Sequence, residues 1–188
     1  MAAHAPKQKR TPFSRRFKRD QKGATAVEFA LVAVPFLGLM AGIVELGFLF
    51  MGSVALDNAM AEATRRIRTG ELQNAPGASA AQKELNRVAF RNEVCDGMGF
   101  MTADCKAKLS IDVRTATQFN NVNIADPIKN GAFDPGALQF ETGGPSTIVV
   151  VTAYYRWTMF LPLMNQALQR LPGETLLTSA TTFQTEPF

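Results

Sequence analysis

The stretch ATAVEFALVAVPFLGLMAGIVELGFLFMG, residues 24–52, decides the fold class of this chain. It contains 29 residues and only two charges, Glu28 and Glu45. A helix of that length is about 43 Å long, which exceeds a hydrocarbon core of roughly 30 Å. The fully uncharged run, residues 29–44, is somewhat short of a span. We therefore predict one transmembrane helix that brings at least one carboxylate to the membrane or its interface.

The charges flanking this helix predict its orientation. Residues 1–23 carry eight Lys or Arg side chains and one acid, whereas the rest of the chain carries 12 basic and 15 acidic groups. The basic end should stay in the cytoplasm, which places the C-terminal domain on the opposite side of the membrane. Because that domain is mildly acidic, the charge argues against nucleic acid as a partner.

Glu28 is the most unusual residue of the apolar stretch. A carboxylate costs about 2.5–3.5 kcal/mol at the bilayer centre, and less near the interface, unless it finds a partner. Cleavage between Gly23 and Ala24 would create an α-ammonium four residues before Glu28, and that of a neighbouring copy could neutralise it. The alternative is an interfacial carboxylate paired with Lys22 or Arg19.

The residues around Glu28 carry a family resemblance. Lys22-Gly23-Ala24-Thr25-Ala26-Val27-Glu28-Phe29 resembles the type IV prepilin cleavage site, a basic leader ending in Gly before an apolar helix with Glu at its fifth position. Residues 15–68 and the closing Glu186-Pro187-Phe188 are similar to the TadE-like family of tight-adherence pilus biogenesis, and the resemblance is weak elsewhere.

This resemblance implies a minor pilin-like (pseudopilin) subunit of the tight-adherence (Flp, type IVc) pilus system. A prepilin peptidase would cleave it after Gly23. Its partners would be the membrane, the major Flp pilin, a TadF-like subunit and the inner-membrane pilus platform. The expected location is the bacterial inner membrane, with a periplasmic head, or the extracellular pilus.

Four further residues of the helix are candidates for packing against other helices or for kinking the helix itself: Pro35, Gly38, Gly42 and Glu45. Pro35 removes a helical hydrogen bond, and Gly38 and Gly42 form a small-x-x-x-small motif that suits close helix packing. Glu45 lies near the opposite end of the span from Glu28. It either reaches the outer headgroups as an ordinary charged residue or has a specific role.

The sequence predicts an α+β protein with four segments. They are a basic leader (1–23), the transmembrane helix (24–52), an amphipathic stalk helix (53–69) and a periplasmic head (70–188). Leu56, Met60, Ala63 and Ile67 follow helical spacing and indicate that the membrane helix continues into the stalk. Gly70 should end it, before a turn at residues 74–77.

The head should combine one helix with a mainly antiparallel sheet. Ser79 opens a capping box, and the following helix should bury Leu85, Val88 and Ala89, up to about Cys95. Leu109–Val113 alternates as a half-buried strand. Ser146–Trp157 should be the central strand and Leu176–Phe183 a third, after a helical turn near residues 165–169.

Residues 115–145 form a long segment rich in Asn, Asp, Gly and Pro. Such a segment is either functional or disordered. Phe119, Phe133 and Phe140 should anchor it to the core, the alternative being that they dock a partner. Asp126 and Asp134 lack the EF-hand spacing, so the sequence predicts no calcium site there.

Cys95 and Cys105 should form a structural disulfide in an oxidising compartment. The chain has one histidine, His4, in the basic tail, so neither a metal site nor histidine-based catalysis is predicted, and no cofactor is expected. The main alternative function is an uncleaved single-pass anchor of a periplasmic binding domain; an enzyme is the weakest hypothesis. A twin-arginine signal at residues 14–18 and cleavage after Ala61 both fit poorly.

Overall fold

The computed structural model describes residues 23–187 except 76, 123 and 125. Residues 1–22, which include the twin-arginine-like stretch and most of the predicted leader, and Phe188 lie outside this range. The described chain divides into two compact units, which meet between Ala41 and Gly42. The α+β class is confirmed: a long N-terminal apolar helix is followed by a small head with an antiparallel sheet.

The first helix, α1, spans Ala24–Arg68 and contains Pro35. Up to Ala41, in the first unit, α1 exposes apolar side chains. The helix is long and apolar enough to cross a membrane. In the second unit one face is buried, and it includes the four residues that the helical spacing predicted: Leu56, Met60, Ala63 and Ile67. The predicted stalk stripe is therefore part of the head's core.

Helix α2, Ala80–Gly97, begins at the predicted cap, where the Ser79 hydroxyl accepts from the Gln82 N–H. The predicted apolar face of α2 is wrong. Leu85 is 64% exposed, and the buried residues are Phe90, Val94 and Cys95. A face rotated around the helix is buried because α2 meets the core through its C-terminal half. A 3₁₀ turn, Gly99–Met101, and helix α3, Thr102–Lys108, follow; no pattern in the sequence predicted α3.

The sheet contains three antiparallel strands in the order β1-β4-β5. They are β1 (Leu109–Ala116), β4 (Ile148–Thr158) and β5 (Glu174–Gln184), so the predicted central strand is confirmed. Leu109 pairs with Tyr155 and Ala116 with Ile148. The residues of β4 that were predicted to share one face all belong to the main core: Val149, Val151, Ala153, Tyr155 and Trp157. Helix α4, Pro162–Leu168, lies between β4 and β5.

The segment between β1 and β4 is better structured than its composition suggests. It contains a small hairpin, β2 (Ile128–Lys129) and β3 (Ala132–Phe133), and a backbone ladder in which Val113 bonds to residues 139 and 141. Phe140 is buried and Phe133 packs on a second cluster, as anchoring requires. Phe119 is 58% exposed, so its predicted anchoring is wrong.

The same segment also corrects the prediction for β1. Asp112 alternates with the apolar residues of β1 and would face solvent in a half-buried strand, but the residue is 1% exposed. Its carboxylate accepts from the Gln139 N–H at 2.7 Å and from Arg114 Nε at 2.7 Å. The covering loop and the neighbouring arginine of β1 thus each supply one partner that a buried carboxylate needs.

Candidate functional site

The first unit of α1 presents a continuous apolar surface. Val27, Phe29 and Leu31 are all exposed, Phe29 to 74%. A soluble protein rarely leaves a surface of this kind uncovered. This unit is therefore one N-terminal apolar helix that could span a membrane, attached in the chain to a soluble head.

Glu28 is exposed within that apolar surface. Among the described residues, no salt bridge or hydrogen bond involves its carboxylate; Lys22 and Arg19, its alternative partners, lie outside them. A Cβ built on Gly23 meets nothing within 4 Å. The fold itself therefore places no demand on the size of the residue at position 23.

The two glycines of the small-x-x-x-small motif have different surroundings. A Cβ at Gly38 would meet nothing within 4 Å, whereas one at Gly42 would lie 4.0 Å from the Met164 sulfur of helix α4. Gly42 is therefore in contact with the chain's own head. Gly38 has no such neighbour, so its surface is accessible to a helix of another molecule.

Glu45 has a specific role, and its partners lie within the chain, which no sequence pattern indicated. The residue is 3% exposed, and its carboxylate accepts from the backbone N–H groups of Phe160, at 2.5 Å, and Leu161, at 3.1 Å. These groups immediately precede α4, where no earlier turn supplies them with partners. Because the donors are backbone groups more than a hundred residues away, no side-chain pattern could have revealed the contact.

The head packs closely on α1 at two further points. A Cβ at Gly52 would lie 2.9 Å from the Trp157 ring, so only glycine lets the sheet approach α1 here. A Cβ at Gly97 would lie 3.1 Å from the Ala59 Cβ. The Gly97 contact brings the end of α2 against α1.

The predicted disulfide is present between Cys95 and Cys105, with 5.5 Å between their Cα atoms. Both cysteines are fully buried and belong to the main core. The bond ties the end of α2 to α3, beside the Gly97 contact with α1. Its position indicates a structural rather than a reactive pair.

The described residues contain no cluster of three or more His, Cys, Asp or Glu side chains that could hold a metal ion. Asp134 bonds to the Lys129 ammonium at 2.7 Å and to the Gly136 N–H at 2.9 Å. These partners hold the pKa of the Asp134 carboxyl below its usual value. Asp134 therefore acts as a local turn-stabilising residue.

The long N-terminal helix matches a known protein family. Residues 23–65 match the family described as TadE-like protein. The match begins at Gly23 and ends near the end of α1, so α2 and the sheet lie outside it. No significant match was found among curated proteins or solved structures.

The TadE-like match suggests a minor pilin-like protein associated with the Tad pilus. Proteins of that family are typically structural rather than enzymatic. The resemblance recognised around Glu28 and the family match therefore agree over the same residues.

Proposed function

We propose that this chain is a non-enzymatic minor pilin-like subunit of a tight-adherence (Flp, type IVc) pilus system. A prepilin peptidase cleaves it after Gly23, and the helix beginning at Ala24 inserts among other pilin-like helices from the inner membrane. The observation that carries the proposal is the TadE-like match starting at Gly23, on a helix whose apolar surface is exposed.

The surroundings of Glu28 support the intermolecular part of this proposal. Its carboxylate lies among exposed apolar residues without a described partner, so a membrane would leave it with a substantial desolvation cost. Processing creates a positive charge on Ala24. The ammonium of an adjacent subunit then provides the counter-ion when helices assemble.

The cleavage is tested by purifying the chain from cells with and without a prepilin peptidase and reading its N-terminus by mass spectrometry. We expect Ala24 as the first residue only when the peptidase is present. Gly23→Leu should block cleavage, because the open surroundings of Gly23 leave the peptidase as the reason for a small residue. Gly47→Leu, at another open glycine, is the matched control and should be cleaved normally. An intact leader under all conditions would favour the uncleaved anchor.

The assembly role is tested with Glu28→Gln, which retains the shape of the side chain and removes its charge. The variant should be cleaved, folded and membrane-bound, since removing the charge lowers the cost of insertion. Co-immunoprecipitation with other pilin-like subunits and surface piliation should both decrease. Normal piliation by Glu28→Gln would contradict the role proposed for this carboxylate.

A further inference from the structure

The connection between β4 and β5 exposes apolar side chains on the part of the head nearest to Glu45. Phe160 is 73% exposed, and Leu168 is also exposed. Helix α4 has the sequence PLMNQAL, which contains no charged residue. A surface of this composition marks a contact site, because a large exposed aromatic beside an uncharged helix is costly in water.

The structure holds this connection against one short stretch of α1. The Glu45 carboxylate binds the N–H groups of Phe160 and Leu161, and the Met164 sulfur lies 4.0 Å from a Cβ built on Gly42. The position of α4 beside residues 42–45 is therefore set by a buried hydrogen-bonded carboxylate and by side-chain packing.

The same stretch of α1 is still part of its apolar surface. Ile43, Val44 and Leu46 are exposed beside the connection. From Ala24 the sequence supplies 21 residues before Glu45, which is the length that a helix needs to cross the hydrocarbon layer. A span that begins at Ala24 would therefore place Glu45 and the connection where the outer hydrocarbon edge meets the headgroups.

Backbone polar groups at this depth need partners within the protein. Glu45 provides them for the two N–H groups that precede α4, so the irregular start of the connection is compatible with the membrane edge. Nearby, Phe100, which is 59% exposed, lines the same cleft of about 490 Å³ as Phe160, together with the buried Trp157 and the charged Asp104 and Lys108. Amphipathic and aromatic side chains are enriched at this level of a bilayer.

We infer that the Phe160–Leu168 connection is a second membrane contact, which lies in the interfacial layer of the outer leaflet beside α1. The continuity of its apolar surface with that of α1 identifies the lipid interface as the occupant. The inference rests on the proposed membrane insertion of α1 and is independent of the role in a pilus. The contact sets the depth of the helix and keeps the sheet close to the bilayer.

The test uses the full chain in liposomes of phosphatidylethanolamine and phosphatidylglycerol. Phe160→Cys keeps the backbone donor, and the native cysteines stay in their disulfide, so a polarity-sensitive fluorophore labels only the new thiol. Phe119→Cys is the matched control: Phe119 is also an exposed aromatic, and it follows the end of β1 that pairs with Ile148, at the other end of the sheet from Phe160. Leu39→Cys reports on the insertion of α1.

We expect the emission of the Phe160 label to be blue-shifted relative to that of the Phe119 label. Lipids with a shallow nitroxide should quench the Phe160 label several-fold more than the Phe119 label, and aqueous iodide should quench it several-fold less. Trp157 is the sole tryptophan, so its emission in the unmodified chain should also be quenched by the nitroxide lipid. This second measurement needs no substitution and guards against a labelled variant that folds poorly.

Each other result has a distinct meaning. A Phe160 label that behaves like the Phe119 label, while the Leu39 label is quenched by lipid, overturns the inference and leaves the proposed insertion intact. A Leu39 label that is open to iodide contradicts the insertion itself. If the Phe160 signal becomes aqueous when the chain is diluted with excess lipid, the contact is with another copy of the protein and the inference is wrong.

Discussion

Replacing Glu45 by alanine should release the start of α4 from α1. The substitution removes two charge-assisted hydrogen bonds, from the N–H groups of Phe160 and Leu161. Such bonds contribute about 1.5–3 kcal/mol each. Part of this free energy is recovered, because a buried carboxylate no longer has to be desolvated and water can bind the two released N–H groups. We therefore expect a net cost of about 2–4 kcal/mol for local opening. Glu45→Gln should cost about half as much, since it keeps one neutral acceptor.

Hydrogen exchange measures this opening directly. In detergent micelles or lipid nanodiscs, peptides covering residues 159–171 should lose protection roughly 30- to 700-fold in Glu45→Ala, the equivalent of about 2–4 kcal/mol. Glu62→Ala is the matched control, because Glu62 lies on the same helix and makes an exposed ion pair with Arg65 at 3.7 Å. It should change stability by less than about 1 kcal/mol.

Hydrogen-exchange protection of the connection that is as high in Glu45→Ala as in the unmodified chain would refute the role assigned to this carboxylate. The packing of Met164 on Gly42 would then be sufficient to hold α4, and the buried carboxylate would need another explanation. A loss of protection throughout the head, rather than around α4, would also contradict the local role argued for Glu45.

Three further predictions concern the head. Gly52→Ala should be less stable than Gly47→Ala by about 1–3 kcal/mol in denaturant unfolding, because both gain helix propensity but only the methyl at position 52 meets the Trp157 ring; equal stabilities would contradict this. Cys95 and Cys105 should react with thiol reagents only after reduction, which should lower the free energy of unfolding by about 2.5–3 kcal/mol; labelling of the unreduced native chain would exclude the bond. Burial raises the pKa of Tyr154 to about 12, so its contribution to stability is complete below the unfolded pKa of about 10 and is lost as the pH rises through the folded value. Ultraviolet absorbance at pH 10 should show little tyrosinate until the chain is unfolded, and extensive tyrosinate in the native protein would refute the shift.

The helical stripe and the central strand were predictable because each has a local periodicity. Leu56, Met60, Ala63 and Ile67 can share one side only of a helix, and the β-branched run in β4 suits a strand with neighbours on both sides. The failed predictions concern residues whose burial depends on a distant segment. Leu85 looked like a core residue by spacing, but α2 meets the core only near Phe90. Asp112 looked solvent-facing until the loop around Gln139 covered it.

The candidate site divides in the same way. Gly23 and Glu28 stand out in the sequence because a basic flank and a lone carboxylate in an apolar run are local signals. Glu45 has the same composition signal, but its partners are backbone N–H groups contributed by another part of the chain. Only the folded arrangement distinguishes a carboxylate that faces other molecules from one that is used within its own chain.

The head is attached to α1 at two well-separated points. Glu45 holds the start of α4, and the Glu186 N–H donates to the Arg68 carbonyl at 2.9 Å, about 35 Å further along the helix. With the close approach at Gly52 between them, the sheet has no hinge about which it could swing relative to this part of α1. A rotation of residues 45–68 about the helix axis must therefore turn the sheet by the same angle.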